Sequence, residues 1–169
     1  IPNMISDRFR YYERKHSEKF NFFSAGNLVP VKKFDLLIQA FITEFSRDEN
    51  VQLIIAGSGV EWKRLNIIIR ENHRDHQIVL LGRLNRDEML NAYIDSDCFV
   101  LASEHESFGI VYREAMAVGR PIISTRNGGI EEGWHDIYGM LVPLNDKKSL
   151  MDAMRKMFES RYNNNLYDN

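Results

Sequence analysis

Two glutamates stand eight residues apart in SEHESFGIVYREAMAVG, residues 103–119, the stretch with the most informative combination of polar side chains. The stretch follows a short apolar run, and a helix is predicted to begin near Phe108–Gly109. Glu106 then lies in a loop and Glu114 inside the helix. Since eight helical residues span about 12 Å, the two carboxylates lie too far apart to share one glycosidic bond. They could instead accept hydrogen bonds from hydroxyls at the two ends of one long polar ligand.

The predicted helix N-terminus between these glutamates is suited to a diphosphate, because its free backbone N–H groups and positive dipole favour anions. Hydroxyls, a diphosphate and further hydroxyls follow one another in this order in a nucleotide sugar. Two glutamates at this spacing occur often by chance, so the spacing alone leaves the ligand open.

Glycine-rich nucleotide motifs are incomplete in this chain. Gly57-Ser58-Gly59 follows an apolar run, but Trp62 stands where a dinucleotide fingerprint requires its third glycine. A phosphate-binding P-loop sequence is absent. Gly57 and Gly59 therefore either line a ligand or only form a tight turn between a strand and a helix.

Metal-binding and nucleophilic patterns receive little support. Asp95 and Asp97 could hold a divalent cation on a diphosphate, but they precede an apolar run, and we expect them to cap a helix end and a loop instead. Of the scattered histidines, His105 alone falls on the expected ligand side, and no Ser-His-Asp or Cys-His set is recognisable. The single cysteine, Cys98, excludes an internal disulfide and a cysteine-based zinc site, and we expect it in the core.

A repeating pattern of apolar runs and amphipathic segments must position these side chains. The runs are Phe20–Ser24, Val51–Ala56, Ile78–Leu81, Cys98–Leu101, Pro121–Ser124 and Met140–Val142. Their continuous apolar character is typical of strands buried on both faces. Between them, apolar residues recur at helical spacing, and Asn85 with Glu88 predicts a capping box. The sequence therefore predicts an α/β fold, a doubly wound, six-stranded parallel sheet with helices on both faces.

Ligands of such sheets bind beyond the carboxyl ends of the strands. The segments that follow the predicted strands are 24–33, 57–59, 82–84, 102–109 and 125–129. We therefore expect the functional side chains to come from these loops.

Composition limits the class of protein. The 169 residues suit one domain, and 44% hydrophobic with 27% charged residues is typical of a globular chain. The net charge of −2 argues against nucleic acid held by a broad basic surface. No apolar run approaches the roughly 18 residues of a membrane span. The start at Ile1-Pro2-Asn3 resembles a cut inside a longer chain.

Several motifs occur in an order that resembles a known family. They are Ile1-Pro2-Asn3 with Asp7 and Phe9, Ser24–Pro30 with Lys32, Ile55–Gly59, Leu81-Gly82-Arg83, Glu106–Glu114 with Gly119, Gly128-Gly129-Ile130 with Glu132, and Gly139–Val142. From Ile1 to about Phe158, the chain resembles the C-terminal half of a family-4 (group 1) retaining glycosyltransferase. That half is the Rossmann-like, donor-binding domain of the GT-B architecture.

The resemblance implies roles for individual residues. Glu106 would hold the hydroxyls of the donor sugar, Lys32 would neutralise the diphosphate in place of a metal, and both would be catalytic. Glu114 would bind the ribose diol. Backbone N–H groups of Ser107, Phe108 and Gly109 would hold the diphosphate, and the remaining donor-binding residues would be Gly26, Asn27, Lys33, Gly57, Gly59, Gly82 and Arg83. The resemblance implies no metal and no other cofactor, and a UDP-, GDP- or ADP-sugar as substrate.

The resemblance also implies a domain organisation. Residues 1–19 would cross over from a missing N-terminal acceptor domain, residues 20–160 would form the nucleotide-sugar-binding domain, and residues 161–169 a polar tail. The full protein would transfer a hexose-type sugar with retention, and this part alone would be inactive. It would be cytoplasmic, with the missing domain able to bring it to the inner face of a membrane.

Some positions depart from the family pattern. Asn27 replaces an arginine, Val31 a glutamate and Lys33 a glycine, and an asparagine cannot act as a bidentate cation. Lys33 could compensate or be solvated, and Trp134 could be core or pocket wall. The change at Asn27 fits an unusual donor, weaker catalysis or a charge supplied by another domain. It also leaves open a non-catalytic donor-binding domain, or another GT-B enzyme such as a nucleotide-sugar epimerase or phosphorylase.

Overall fold

Six short strands form one parallel sheet in the computed structural model, which describes residues 7–13, 17–107, 109–131 and 133–161. In chain order they are β1 Phe20–Ala25, β2 Val51–Ala56, β3 Ile78–Gly82, β4 Cys98–Leu101, β5 Ile122–Thr125 and β6 Gly139–Val142. Their order across the sheet is β3-β2-β1-β4-β5-β6, and each neighbouring pair is parallel. The strand order therefore reverses between β1 and β4, which is where doubly wound sheets form their ligand crevice.

The predicted strands are confirmed, each with bounds within one residue of the expectation. The strand predicted to begin at Pro121 begins at Ile122 instead. Proline has no N–H to donate to a sheet ladder, although the Pro121 carbonyl accepts a hydrogen bond from the Phe99 N–H at 2.9 Å. Cys98 is buried at the start of β4, as expected of a core residue.

Four α-helices connect these strands in the described part of the chain, and a fifth follows β6. They are α1 Phe34–Glu44, α2 Trp62–Glu71, α3 Arg86–Ile94, α4 Ile110–Ala117 and α5 Lys147–Ser160, with short 3-10 turns at Pro30–Lys32 and Asp136–Tyr138. The predicted capping box begins α3: the Asn85 side chain accepts from the Asp87 and Glu88 N–H groups, and the Glu88 carboxylate accepts from the Asn85 N–H. Helix α4 begins at Ile110, because Gly109 before it has a left-handed φ of 55°.

Two aromatic clusters cover the two faces of the sheet, because successive side chains of a strand point to opposite faces. Phe22 in β1 lies on the face of α1 and α5, where its ring centroid is 5.7 Å from that of Phe45. Phe23 lies on the face of α3 and α4, with ring centroids 5.0 Å from Tyr93 and 6.0 Å from Phe99. The expectation of a doubly wound sheet with helices on both faces is therefore confirmed.

The segment before β1 contributes to the core. Phe9 is 7% exposed and packs edge-on against Tyr93. The buried Arg120 donates to the Tyr12 carbonyl at 3.1 Å and to the Ile94 carbonyl at 2.8 Å, which ties the segment to the end of α3. Strand β1 begins at residue 20 and α5 ends at residue 160, whereas the division into crossing segment, domain and tail stays a prediction.

Parts of the predicted organisation lie outside the described residues, namely Ile1-Pro2-Asn3 and the tail from residue 162. Within the described ranges, no helix is long and apolar enough to cross a lipid bilayer.

Candidate functional site

A cleft of about 600 Å³ opens at the carboxyl ends of β1, β2, β3 and β4, across the point where the strand order reverses. Loops that follow all four strands contribute to its wall, together with the first turn of α4. The lining residues are Ala25, Gly26, Asn27, Val31, Lys32, Ala56, Gly57, Ser58, Arg83, Leu84, Met89, His105, Glu106, Ser107, Gly109, Ile110 and Val111. The site therefore forms where the sheet topology places it, from loops distant in sequence.

Most of the predicted site residues meet in this cleft. Those that line it are Gly26, Asn27, Lys32, Gly57, Arg83, Glu106, Ser107 and Gly109. Glu114, Lys33, Gly59 and Gly82 are outside the lining, and Phe108 is outside the described residues. The lining also includes the apolar side chains of Met89, Ile110 and Val111, which cannot be distinguished from core residues in the sequence.

Lys32 and Glu106, which both line the cleft, form an ion pair. The Lys32 ammonium donates to Glu106 Oε1 at 2.5 Å, and the two side chains are 19% and 11% exposed. Lys32 ends the 3-10 turn after β1, whereas Glu106 belongs to the loop after β4. The cleft thus holds a cation and an anion in direct contact, each mostly withdrawn from water.

Backbone contacts hold these two loops together. The Val31 carbonyl accepts from the Glu104 N–H at 2.8 Å and lies 3.3 Å from the Ser103 hydroxyl. The same hydroxyl donates to the His105 carbonyl at 2.9 Å. Because Lys32 and Glu106 are one or two residues from these anchors, their side chains start from fixed backbone positions.

The loop after β5 contacts the backbone of the loop that holds Glu106. The Glu106 N–H lies 3.3 Å from the Asn127 carbonyl, and the Thr125 hydroxyl donates to the Ser103 carbonyl at 2.5 Å. A Cβ added to Gly129 would lie 2.4 Å from the Glu106 carbonyl oxygen, so a side chain there would displace the Glu106 loop.

Buried hydrogen bonds fix α4 against the same loop. The Tyr112 hydroxyl lies 2.8 Å from the Ser124 hydroxyl and 2.7 Å from the Asn127 amide nitrogen. Burial raises the pKa of Tyr112 well above its ordinary value, so this group stays a neutral phenol. The Asn127 amide oxygen accepts from the Gly129 N–H at 3.2 Å. These contacts position the first turn of α4 at the cleft.

The N-terminus of α4 faces the cleft without a side-chain cap. Gly109 is the N-cap residue and provides no capping side chain. Gly109, Ile110 and Val111 all belong to the lining. The positive end of the helix dipole is therefore directed at the space beside Lys32, an arrangement that suits a phosphate group.

Glu114 lies one turn after the start of α4, on the side of the helix that faces α3. Its Oε2 is 3.1 Å from the Tyr93 hydroxyl, and Arg86 at the start of α3 is the neighbouring positive charge. Burial raises the pKa of the Glu114 carboxyl, while the Tyr93 hydrogen bond and the Arg86 charge partly oppose that rise. Glu114 is thus a partly buried acceptor between α3 and α4, outside the residues that line the cleft.

Lys33 is engaged elsewhere. Its ammonium lies 3.0 Å from Glu104 Oε1, and the Asn145 amide donates to the same oxygen at 2.9 Å. Hydrogen bonds from Asn145 and Lys33 lower the pKa of the Glu104 carboxyl. Lys33 therefore bridges two loops outside the lining, and of the basic side chains it is Lys32, Arg83 and His105 that line the cleft among the described residues.

Gly57 and Gly59 let the loops after β1 and β2 approach closely. A Cβ on Gly57 would lie 1.9 Å from the Gly26 carbonyl oxygen, and one on Gly59 would lie 2.3 Å from the Leu28 carbonyl oxygen. Gly57 also lines the cleft, whereas Gly59 does not. The structure gives both glycines a packing role and brings only Gly57 to the candidate site.

The remaining candidates lie away from the cleft. Asp95 is the C-cap residue of α3, as expected, whereas Asp97 is buried and its Oδ2 accepts from the Asn21 N–H of β1 at 2.6 Å, at the opposite end of the sheet. No group of three or more potential metal-binding side chains occurs within the described ranges. Trp134 is partly buried, donates to Asp136 Oδ1 at 3.2 Å and lines a separate groove beside β6.

Comparisons with curated proteins identify the family. The family model described as glycosyl transferases group 1 matches residues 6–169. The chain is 33% identical over 128 residues to N-acetyl-alpha-D-glucosaminyl L-malate synthase of Bacillus anthracis, covering 75% of this chain and 33% of that protein. It is 32% identical over 161 residues to an uncharacterized glycosyltransferase of Methanocaldococcus jannaschii, covering 95% of this chain and 43% of that protein. The chain therefore spans less than half the length of these relatives.

Solved structures share the fold. TarM superimposes with a TM-score of 0.82 at 19% identity, covering 98% of this chain and 32% of TarM. HepE of Anabaena, solved in complex with UDP and glucose, gives a TM-score of 0.76 at 22% identity, covering 89% of this chain and 41% of HepE. The expected Rossmann-like half of the GT-B architecture is thereby confirmed. With a family match over nearly all of its length, this chain belongs to the group 1 glycosyltransferases.

Proposed function

We propose that this chain is the donor-binding domain of a retaining, metal-independent glycosyltransferase. The full protein would transfer a hexose-type sugar from a nucleoside diphosphate sugar to an acceptor held by another domain. The observation that carries the proposal is the meeting of Lys32, Glu106 and the uncapped N-terminus of α4 in one cleft at the switch point of the sheet.

The diphosphate would lie between Lys32 and the first turn of α4. Backbone N–H groups near Ser107 and Gly109 and the helix dipole would face its oxygens, and the Lys32 ammonium would face its negative charge. Loss of the nucleoside diphosphate leaves negative charge on the departing oxygen. These fixed positive groups would stabilise that charge in the transition state, without a metal.

The sugar and the ribose would lie at opposite ends of this diphosphate. Glu106 would accept hydrogen bonds from hydroxyls of the sugar, and Glu114, deeper between α3 and α4, from the ribose diol. Arg83, in the loop after β3, would border the base. HepE, which shares the fold, was solved with UDP and glucose, and a UDP-sugar is accordingly the first donor to test, with GDP- and ADP-sugars beside it.

Calorimetry on the full-length protein in the presence of EDTA tests the proposal. We expect UDP, GDP or ADP to bind with a micromolar to submillimolar dissociation constant, and Lys32→Gln to weaken that binding about tenfold, as expected for a hydrogen bond between charged groups. Lys63 is exposed on α2 and lies outside the lining, so Lys63→Gln is the matched control. No binding at millimolar nucleotide, or equal loss in both variants, would contradict the proposal.

A second candidate is a donor-binding domain without catalysis, and Asn27 is the observation that favours it. Asn27 lines the cleft where the family pattern has a cationic arginine, so one positive charge toward the diphosphate is missing. Full-length protein that binds the donor but never releases nucleoside diphosphate from it, with any acceptor extract, would support this second function over the first.

A further inference from the structure

Tyr93 connects the aromatic core to Glu114. Its ring is fully buried and packs against Phe9, Phe23 and Phe99. Its hydroxyl emerges from this cluster toward α4, 3.1 Å from Glu114 Oε2 and 3.2 Å from the Val111 carbonyl oxygen. The packing leaves the ring little freedom, so the position of the hydroxyl is set by the core.

The single proton of this hydroxyl has two acceptors within reach. A carboxylate is the stronger one, because hydrogen bonds to charged groups are shorter and roughly twice as strong as neutral ones. The Val111 carbonyl belongs to the α4 backbone, whose hydrogen bonds run along the helix. The tyrosine proton is therefore directed to Glu114 Oε2 whenever that carboxyl is ionised.

This contact determines how the carboxylate is oriented. The terminal torsion of a glutamate is broad and roughly two-fold, so an unsupported carboxylate samples many orientations. A carboxylate whose oxygens already face two neighbouring hydroxyls binds both at a lower entropy cost than one that must first be ordered. In the described part of the chain, Tyr93 is the side chain that hydrogen-bonds this carboxylate.

We infer that Tyr93 is a positioning residue that orients Glu114 toward the ribose diol and thereby gives the site its preference for ribonucleotides over 2′-deoxyribonucleotides. The inference rests on the proposed function, since it assigns the ribose to Glu114. Without the 2′-hydroxyl, a partly buried carboxylate oxygen loses a partner, and sites built to hydrogen-bond a hydroxyl discriminate strongly against ligands that lack it. Without Tyr93, the carboxylate turns away and the distinction between the two sugars weakens.

The test compares UDP with 2′-deoxy-UDP, or GDP with 2′-deoxy-GDP if guanine is preferred, by calorimetry on the full-length protein. We expect the unsubstituted protein to bind the ribonucleotide about tenfold or more tightly than the deoxyribonucleotide. Tyr93→Phe keeps the ring and removes only the hydroxyl. It should reduce this ratio at least about threefold, mainly by weakening the ribonucleotide, because the lost hydrogen bond is to a charged group.

Two further variants show whether Tyr93 acts through Glu114. In a Glu114→Gln background, adding Tyr93→Phe should leave the ratio unchanged, because residues that act through one contact are not additive. Tyr12→Phe, which removes an exposed hydroxyl that donates to the Arg8 carbonyl, is the matched control and should behave as the unsubstituted protein. A ratio that is unchanged or larger in Tyr93→Phe would overturn the inference.

Folding is followed by thermal denaturation in every variant. If Tyr93→Phe fails to fold, Glu114→Asp replaces it: aspartate keeps the charge but withdraws the carboxylate from Tyr93, and it should lower the ratio similarly. An undiminished ratio in Glu114→Asp would overturn the inference. Failure of the unsubstituted protein to bind either nucleotide would instead overturn the proposed function, so the two outcomes are separable.

Discussion

Replacing Lys32 by methionine, beside the same change at Lys33, tests which adjacent cation serves the diphosphate. The Lys32 ammonium lies in the cleft on Glu106, with the two side chains 19% and 11% exposed. The Lys33 ammonium lies outside the lining on Glu104, with the two side chains 30% and 37% exposed. The two lysines are adjacent in the sequence, but the structure predicts a large loss of activity for Lys32→Met and a small one for Lys33→Met.

The expected magnitude follows from these surroundings. Removing one preorganised charge-stabilising group from a reacting site costs about 3 kcal/mol, which corresponds to roughly 150-fold in kcat for Lys32→Met. Lys33→Met removes a partly exposed ion pair outside the lining and leaves the backbone contact of Glu104 with Val31 in place, so we expect less than about a threefold change. A compensating role for Lys33 in place of the missing arginine would instead make the two losses comparable.

The assay follows nucleoside diphosphate release from the donor by the full-length protein, with kcat and KM determined for both variants. Thermal denaturation accompanies it, because Glu106 without its partner should lower the free energy of unfolding by about 1–3 kcal/mol. A loss below tenfold for Lys32→Met, or an equal loss for Lys33→Met, would refute the assignment of the diphosphate charge to Lys32.

Three further changes test other parts of the site. Asn27→Arg should strengthen nucleoside diphosphate binding about tenfold, since it adds a charged donor to the lining, and unchanged calorimetric affinity would contradict this. Gly129→Ala should lower kcat about 100-fold with little change in secondary structure by circular dichroism, because its Cβ would lie 2.4 Å from the Glu106 carbonyl oxygen. Nucleotide affinity should fall on acidification at a higher pH than an exposed glutamate would cause, because burial raises the pKa of Glu114 and its charged form is the acceptor. Tyr93→Phe should raise the pH at which affinity is half lost, because the Tyr93 hydrogen bond lowers the pKa of Glu114. Glu114→Gln should remove the part of the pH dependence that Glu114 causes. Identical pH profiles of the unsubstituted protein and both variants would exclude the role of Glu114.

The fold was predictable because its signals are local. Strands buried on both faces need apolar runs, and α3 begins where Asn85 and Glu88 predicted a capping box. The helix expected to begin near Phe108–Gly109 begins at Ile110, after Gly109, which has a left-handed φ of 55° at a place where a Cβ would lie within 3.0 Å of Tyr112 and Gly129. Element types therefore follow from the pattern, and exact ends follow from packing.

The site was predictable only in part, since its decisive contacts join distant segments. The rule that ligands bind beyond the carboxyl ends of strands predicted that Lys32 and Glu106 lie at the same edge of the sheet, and both line the cleft. No local pattern indicates that Lys33 pairs with Glu104, or that Phe9 lies in the core. Such contacts depend on how separate loops meet after folding.

The aromatic cluster under α3 and α4 has a consequence for mutational scanning. Tyr93 and Tyr112 keep their rings among core aromatics such as Phe99, while their hydroxyls reach Glu114 and the loop after β5. Substitutions of core rings that no nucleotide touches should therefore displace these hydroxyls. A library selected for ligand recognition should therefore deplete substitutions at such hidden positions as well as in the cleft.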